Sequence, residues 1–186
     1  MGVMVMMIFQ TLNYMFVYHL IGHIQVLKQK IKMEFKPILN DQETRDILIE
    51  VFKYHGFILR VFKNVRSAFG INVTTTYLHN LVGDSLMMYQ IMYAGKENIL
   101  LYVVMVIVYI GGLILMSFVL EEIRRQTEDL SDIVYNIPWE TMSVSNQKTF
   151  LLLLRRVQPP LEFQAFGGLR AGVRPMISVI GFFLAL

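Results

Sequence analysis

An uninterrupted apolar run places the strongest constraint on how this chain folds. Residues 98–120 carry no charged side chain between Glu97 and Glu121. A helix rises about 1.5 Å per residue, so about 20 apolar residues cross a hydrocarbon core of roughly 30 Å. Because lipid offers the backbone no hydrogen bonds, a crossing segment must satisfy its own polar groups, which favours helices. We therefore predict an all-α membrane helical bundle.

Composition supports further spans. Apolar residues make up 55% of the chain and charged residues 17%, whereas soluble domains have roughly 45–50% and about 25%. Residues 1–27 and 67–95 are the next most apolar stretches. We predict about three spans, with a short C-terminal membrane helix over residues 173–186, which is shorter than the about 20 residues that a span needs.

Charged but periodic segments join the predicted spans and indicate long cytoplasmic helical extensions. Asn40 or Asp41 is a suitable cap for a helix with an apolar stripe. The predicted stripe consists of Ile47, Val51, Tyr54, Ile58, Phe62 and Val65. The helix that starts at Ile99 is predicted to continue beyond the apolar run to Val134. Ser143 or Ser145 is predicted to cap a further helix that ends before Pro159.

The distribution of basic residues predicts the orientation. Residues 28–66 contain nine Lys and Arg, residues 121–160 contain five, and the connection at residues 96–97 contains one. Cytoplasmic loops carry the excess of Lys and Arg, so both basic segments are predicted to be cytoplasmic. We predict a multi-pass plasma membrane protein with an extracellular C-terminus. Since the first span then runs inward with no basic segment before it, we expect this chain to be the C-terminal part of a longer protein.

Three polar residues inside or next to the predicted spans are candidates for function. Asp84 is an intramembrane charge, and such charges often mark a functional site or face other protein; the sequence leaves both interpretations open. His19 and His23 share one helix face. No third ligand is evident near them, so partner-facing histidines are favoured and no metal site is predicted. No nucleophile, zinc or phosphate-loop motif indicates an enzyme. Interspersed acids argue against nucleic-acid binding.

Two ordered motifs resemble the insect odorant receptor family. Tyr135-Asn136-Ile137-Pro138-Trp139 is followed by a basic amphipathic segment and then by Gln158-Pro159-Pro160-Leu161, ahead of the last apolar segment. Upstream, Tyr54-His55-Gly56 followed by Ile58-Leu59 is similar to a His-His-x-x-Ile-Leu region of the same family. The resemblance implies a seven-helix receptor with an inverted topology. On this mapping, residues 1–170 are the C-terminal half of the receptor bundle with its cytoplasmic anchoring region, residues 171–186 are a partial pore-lining helix, and the N-terminal helices are missing.

The same resemblance implies an odorant-gated, non-selective cation channel. The expected partners are an odorant co-receptor subunit in a hetero-tetramer, a small volatile apolar ligand and the lipid bilayer, and no cofactor is expected. The residues that the resemblance places in subunit anchoring are Tyr135, Trp139, Gln158 and Pro159. The pore-lining candidates are Ile177, Val179 and Ile180. The odorant-binding candidates, which interfacial aromatic packing could also explain, are Tyr14, Tyr89, Met92 and Tyr102.

Two alternative classes remain open at the level of the sequence. The gustatory-type receptor channels share the architecture, although the Tyr-Asn-x-x-Trp and Gln-x-Pro features favour the odorant branch. A membrane transporter fragment would place polar groups at a midplane site. Asp84 is the residue that favours the transporter alternative.

Overall fold

The chain folds into long helices. The computed structural model describes residues 2–35, 40–93, 98–163, 172–173, 176–178 and 181. Helices α1 (Gly2–Glu34), α2 (Asp41–Tyr93), α3 (Ile99–Tyr135) and α4 (Val144–Val157) are joined by short connections, and a 3-10 turn covers Trp139–Thr141. No strand occurs in these described ranges. The predicted all-α class is therefore confirmed.

Contacts divide the chain into two compact units. The first, which we call the apolar unit, comprises Met1–Tyr14, Arg66–Glu121 and Glu162–Leu186. The second, which we call the basic bundle, comprises Met15–Val65 and Glu122–Leu161. The helices α1, α2 and α3 each contribute residues to both units. Helix α4 belongs entirely to the basic bundle.

The basic bundle is built on a coiled-coil type of seam. In each of its helices the buried positions recur alternately three and four residues apart, the spacing that keeps one helix face toward its neighbours. The seam positions on α1 are Val17, Leu20, Ile24, Leu27 and Ile31. Those on α2 are Leu48, Val51, His55, Ile58, Phe62 and Val65. Those on α3 and α4 are Ile123, Thr127, Leu130, Val134, Asn146, Phe150, Leu153 and Val157.

Four residues of the predicted stripe on α2 are buried, and the other two are half-buried. Ile47 and Tyr54 are half-buried, while the buried seam runs through Leu48 and His55. The predicted stripe did not include His55. The regular three-and-four spacing instead places its ring inward.

Capping residues start the helices where the sequence indicates. The Asn40 backbone N–H donates to Glu43 Oε2 at 3.1 Å, and the Gln42 N–H donates to Asn40 Oδ1 at 3.4 Å. Such reciprocal bonds satisfy N–H groups that the helix itself leaves unpaired. Ser143 caps α4, accepting a hydrogen bond from the Asn146 N–H. Helix α3 ends at Tyr135, one residue after the predicted end at Val134.

Helix α3 carries the strongest membrane signal. Among the described residues, one helix is long and apolar enough to cross a membrane; it begins at Ile99, and its most apolar window has a mean hydropathy of 2.8 and is only 11% buried. Leu100 and Ile107 are 78% and 64% exposed. The predicted spans at 1–27 and 67–95 are helical over residues 2–27 and 67–93.

The glycine pair of α3 lies in open surroundings. A Cβ atom at Gly111 or Gly112 would meet nothing within 4 Å. Among the described residues, no neighbouring segment approaches the backbone of this pair closely. Contact between α2 and α3 in the apolar unit is made elsewhere, where the rings of His79 and Tyr109 lie 5.8 Å apart.

Candidate functional site

The turn between α3 and α4 is held to the basic bundle by an aromatic pair. The Trp139 ring stacks on Phe150, with centroids 6.2 Å apart and planes at 12°. Gln147 Nε2 donates to the carbonyl oxygens of Met142 at 3.1 Å and Trp139 at 3.4 Å. Because Phe150 is a fully buried seam residue, the half-buried indole is fixed directly to the core.

A buried amide ties α4 to the start of α2. Asn146 is 1% exposed, and its Nδ2 donates to the Asp41 carbonyl oxygen at 2.9 Å and to Asp41 Oδ1 at 2.7 Å. One of these acceptors is a carboxylate, and hydrogen bonds to charged groups are the stronger kind. This contact joins residues that are far apart in the sequence, and a single-sequence pattern contains no signal for it.

A buried lysine joins α1 to α3. Lys28 Nζ donates to Gln126 Oε1 at 2.6 Å and to Asp129 Oδ2 at 3.3 Å. Burial lowers the pKa of Lys28, and the bond to Asp129 partly opposes that shift. Gln126 in turn donates to Glu122 at 2.6 Å. A hydrogen bond from Arg125 lowers the pKa of Glu122, which therefore stays ionised.

His55 is the buried titratable group of the α2 seam. It is 3% exposed, and within the described part of the chain its Nδ1 has no hydrogen-bond partner. Burial, reinforced by the positive charge of Arg156, lowers the pKa of His55 to about 4. The Arg156 guanidinium lies 4.4 Å from the centroid of the Phe52 ring. A Cβ added at Gly56 would lie 3.4 Å from Arg156 Nη2, about van der Waals contact distance, so the guanidinium packs close to this residue.

The predicted anchoring residues all lie in the basic bundle, with different exposures. Tyr135 is 61% exposed at the end of α3. Gln158 and Pro159 are exposed just after α4, where the Gln158 N–H donates to the Leu154 carbonyl oxygen at 3.2 Å. Trp139 is half-buried against Phe150. Three of the four side chains are therefore exposed enough to contact a partner, whereas Trp139 packs against the core of the basic bundle.

The predicted odorant-binding residues all lie in the apolar unit. Tyr89 and Met92 are 59% and 63% exposed, whereas Tyr14 and Tyr102 are half-buried. The Tyr89 ring packs against Tyr93, with centroids 4.8 Å apart. Tyr93 was not selected from the sequence, although its four-residue spacing from Tyr89 places both rings on one helix face.

The structure describes the side chain of only one of the four remaining predicted residues. Ile177 is in a helical stretch and is 60% exposed. Val179 and Ile180 lie outside the described residues. Asp84 lies within α2, but its side chain is outside the described part of the structure.

An open groove of about 490 Å³ lies between α1 and α2 in the basic bundle. It is lined by Val26, Lys30, Glu50, Lys53, Tyr54 and Phe57. Lys30 forms an ion pair with Glu50 at its edge. None of the four predicted odorant-binding residues contributes to it.

Near this groove, the Nε2 atoms of His19 and His23 lie 3.3 Å apart. His23 Nδ1 is 2.8 Å from the Tyr54 hydroxyl oxygen. In the part of the chain that the structure describes, no three His, Cys, Asp or Glu side chains converge as metal ligands.

An all-helical fold with one strongly apolar helix is consistent with a helical membrane protein. Comparison with known families identifies it further: the family model described as 7tm odorant receptor matches residues 1–183. The chain belongs to this odorant receptor family, which is a family of membrane receptors and is not enzymatic. This match decides for the odorant branch over the gustatory and transporter alternatives. A search of curated proteins found no match.

Proposed function

We propose that this chain is a subunit of an odorant-gated, non-selective cation channel that assembles with a co-receptor. The observation that carries the proposal is the family match over residues 1–183. The resemblance of the Tyr135–Trp139 and Gln158–Leu161 motifs to insect odorant receptors implies this activity. In this proposal the chain forms the C-terminal half of the receptor bundle. Its last helix lines the pore through Ile177, Val179 and Ile180, whose apolar side chains would gate by dewetting.

The proposed topology places residues 28–65 and 122–161 of the basic bundle in the cytoplasm of a multi-pass protein, with the C-terminus outside. The two stretches of this bundle, Met15–Val65 and Glu122–Leu161, contain most of the basic residues of the chain. An excess of Lys and Arg marks cytoplasmic segments. Odorant binding is proposed for the apolar unit, with Tyr14, Tyr89, Met92 and Tyr102 forming part of one apolar wall.

Subunit anchoring is proposed for the outer face of α4 and the residues next to it. Val144, Leu151 and Leu152 are 69%, 59% and 63% exposed, on the side of α4 away from its seam. Tyr135 adds a further exposed ring. Apolar side chains that an interface removes from water contribute roughly 25 cal/mol per Å² of buried area, and the charged rim contributes little. The α4 face offers such side chains on a helix whose position Trp139 and Asn146 fix.

The experiment compares two matched surface substitutions in a receptor that contains this chain and is co-expressed with a co-receptor. Leu152→Gln alters the α4 face, and Met33→Gln alters a side chain of nearly equal exposure on α1 (63% against 64%). We expect Leu152→Gln to reduce both co-receptor capture and odorant-evoked cation current by about tenfold, because losing one interface anchor costs more than about 1 kcal/mol. Met33→Gln should retain both.

Two results would contradict the proposal. Absence of odorant-evoked current from the surface-expressed receptor would refute channel activity. Equal capture by the two variants would refute the anchoring role of α4 while leaving channel activity intact.

A further inference from the structure

The histidine pair on α1 brings two ring nitrogens within hydrogen-bond distance of each other. His19 and His23 lie one helical turn apart, and their Nε2 atoms approach to 3.3 Å. The ring centroids are 4.7 Å apart and the planes cross at 82°. His19 is exposed and His23 is half-buried, so the gap between the two nitrogens opens toward the surface of the basic bundle.

The surroundings of His23 fix its ring. Its Nδ1 lies 2.8 Å from the Tyr54 hydroxyl oxygen, and the Phe57 ring packs edge-on with a centroid distance of 5.4 Å. When Nδ1 carries the proton and donates to Tyr54, the lone pair of Nε2 points toward His19. Histidines that bind metals have this arrangement, in which the second ring nitrogen donates to a neighbouring acceptor.

We propose that His19 and His23 bind a divalent transition metal ion of the Cu²⁺ or Zn²⁺ type. Two nitrogen ligands that each lie about 2.0–2.1 Å from a tetrahedral Zn²⁺ ion are about 3.3 Å apart, and this is the separation of the two Nε2 atoms. Neutral imidazole suits both ions, although Cu²⁺ prefers a square-planar geometry in which neighbouring ligands lie closer together. Binding turns both Nε2 lone pairs away from each other and toward the ion.

The ligand set limits the strength of the site. No third His, Cys, Asp or Glu converges on the pair among the described residues, so water completes the coordination. Binding is therefore exchangeable and depends on both imidazoles. Since Tyr54 lies on α2, an ion on this pair also strengthens the link between α1 and α2 in the basic bundle.

The test measures Cu²⁺ and Zn²⁺ binding to the purified full chain in detergent near pH 7.5, by competition with a chromophoric chelator. We expect one saturable site per chain, with Cu²⁺ bound more tightly than Zn²⁺. His19→Ala and His23→Ala should each lower affinity by at least about tenfold. Tyr54→Phe removes the hydrogen bond between the Tyr54 hydroxyl and His23 Nδ1 and should lower affinity by about tenfold.

His79→Ala is the matched control, because His79 is also an exposed helical histidine but contacts Tyr109 instead of another histidine. It should leave binding unchanged, and far-ultraviolet circular dichroism of each variant shows that the helices persist. His19→Gln, which keeps a polar side chain, provides a second variant with an expected loss of the same size. Failure of the wild type to bind saturably, or equal losses in His79→Ala and His19→Ala, would overturn the proposal.

Discussion

Acidification should destabilise the basic bundle through His55. The unfolded chain binds a proton at the ordinary histidine pKa of 6.5, whereas the folded bundle lowers the pKa of His55 to about 4. Between these values the unfolded state binds more protons, so stability is fully present above pH 6.5 and falls as the pH drops toward 4. Each pH unit of acidification inside that window lowers the free energy of unfolding by about 1.4 kcal/mol. The loss between pH 7 and pH 5 is therefore about 2 kcal/mol, and the loss over the whole window is about 3 kcal/mol.

The assay uses a probe that the chain already contains. The single tryptophan of the sequence, Trp139, stacks on the buried Phe150, so its fluorescence reports unfolding of the basic bundle. The free energy of unfolding is measured by denaturant titration of the full chain in detergent at pH 7, 6 and 5. His55→Gln should abolish about 2 kcal/mol of the pH dependence.

Two further variants make this test specific. His79→Gln should keep the wild-type pH dependence, because His79 lies outside the basic bundle that the Trp139 signal reports on. Arg156→Gln should reduce the acid sensitivity, because the positive charge of Arg156 contributes to the lowered pKa of His55. If His55→Gln and the wild type lose the same stability between pH 7 and pH 5, the reasoning from burial is refuted.

Two predictions concern single structural contacts. Asn146→Ala removes both hydrogen bonds to Asp41. It should lower the free energy of unfolding by about 2 kcal/mol, the usual value for a hydrogen bond to a charged group. The substitution Ser145→Ala at the exposed neighbouring residue should change this free energy little, and equal effects of the two substitutions in the same fluorescence titration would contradict the role of Asn146. Gly172→Ala should reduce thermal stability in detergent by about 1–3 kcal/mol, since Gly172 has φ +152° and a Cβ there would lie 2.9 Å from Glu121 Oε2. An unchanged melting temperature would show that this backbone conformation is not required.

The sequence predicted the starts of α2 and α4 and the continuation of α3 well, because those depend on local chemistry. The reciprocal bonds of Asn40 and Glu43, and the cap at Ser143, use residues within one turn of each other. The continuation of α3 to Tyr135 followed from an apolar periodicity that persists after Glu121. Such signals are contained in a few consecutive residues.

The polar contacts of the basic bundle could not be predicted in this way. Asn146 and Asp41, or Lys28 and Gln126, meet only after the helices pack. The burial of His55 was also missed, because its neutral state depends on the low-polarity seam around it. The signal in the sequence was the seven-residue spacing of Leu48, His55 and Phe62, which places the three side chains on one helix face. Using this signal required placing a polar residue, His55, at a buried position.

The placement of residues 98–120 in lipid is tested most directly by thiol accessibility. The sequence contains no cysteine, so single-cysteine variants need no altered background. Ile107→Cys lies in the middle of the apolar run, and Glu128→Cys lies on the same helix beyond it; both native side chains are exposed in the isolated chain. In membrane vesicles opened to both faces, a water-soluble maleimide should label Glu128→Cys and leave Ile107→Cys unlabelled until detergent is added. Equal labelling of both cysteines in intact bilayers would show that α3 does not cross the membrane.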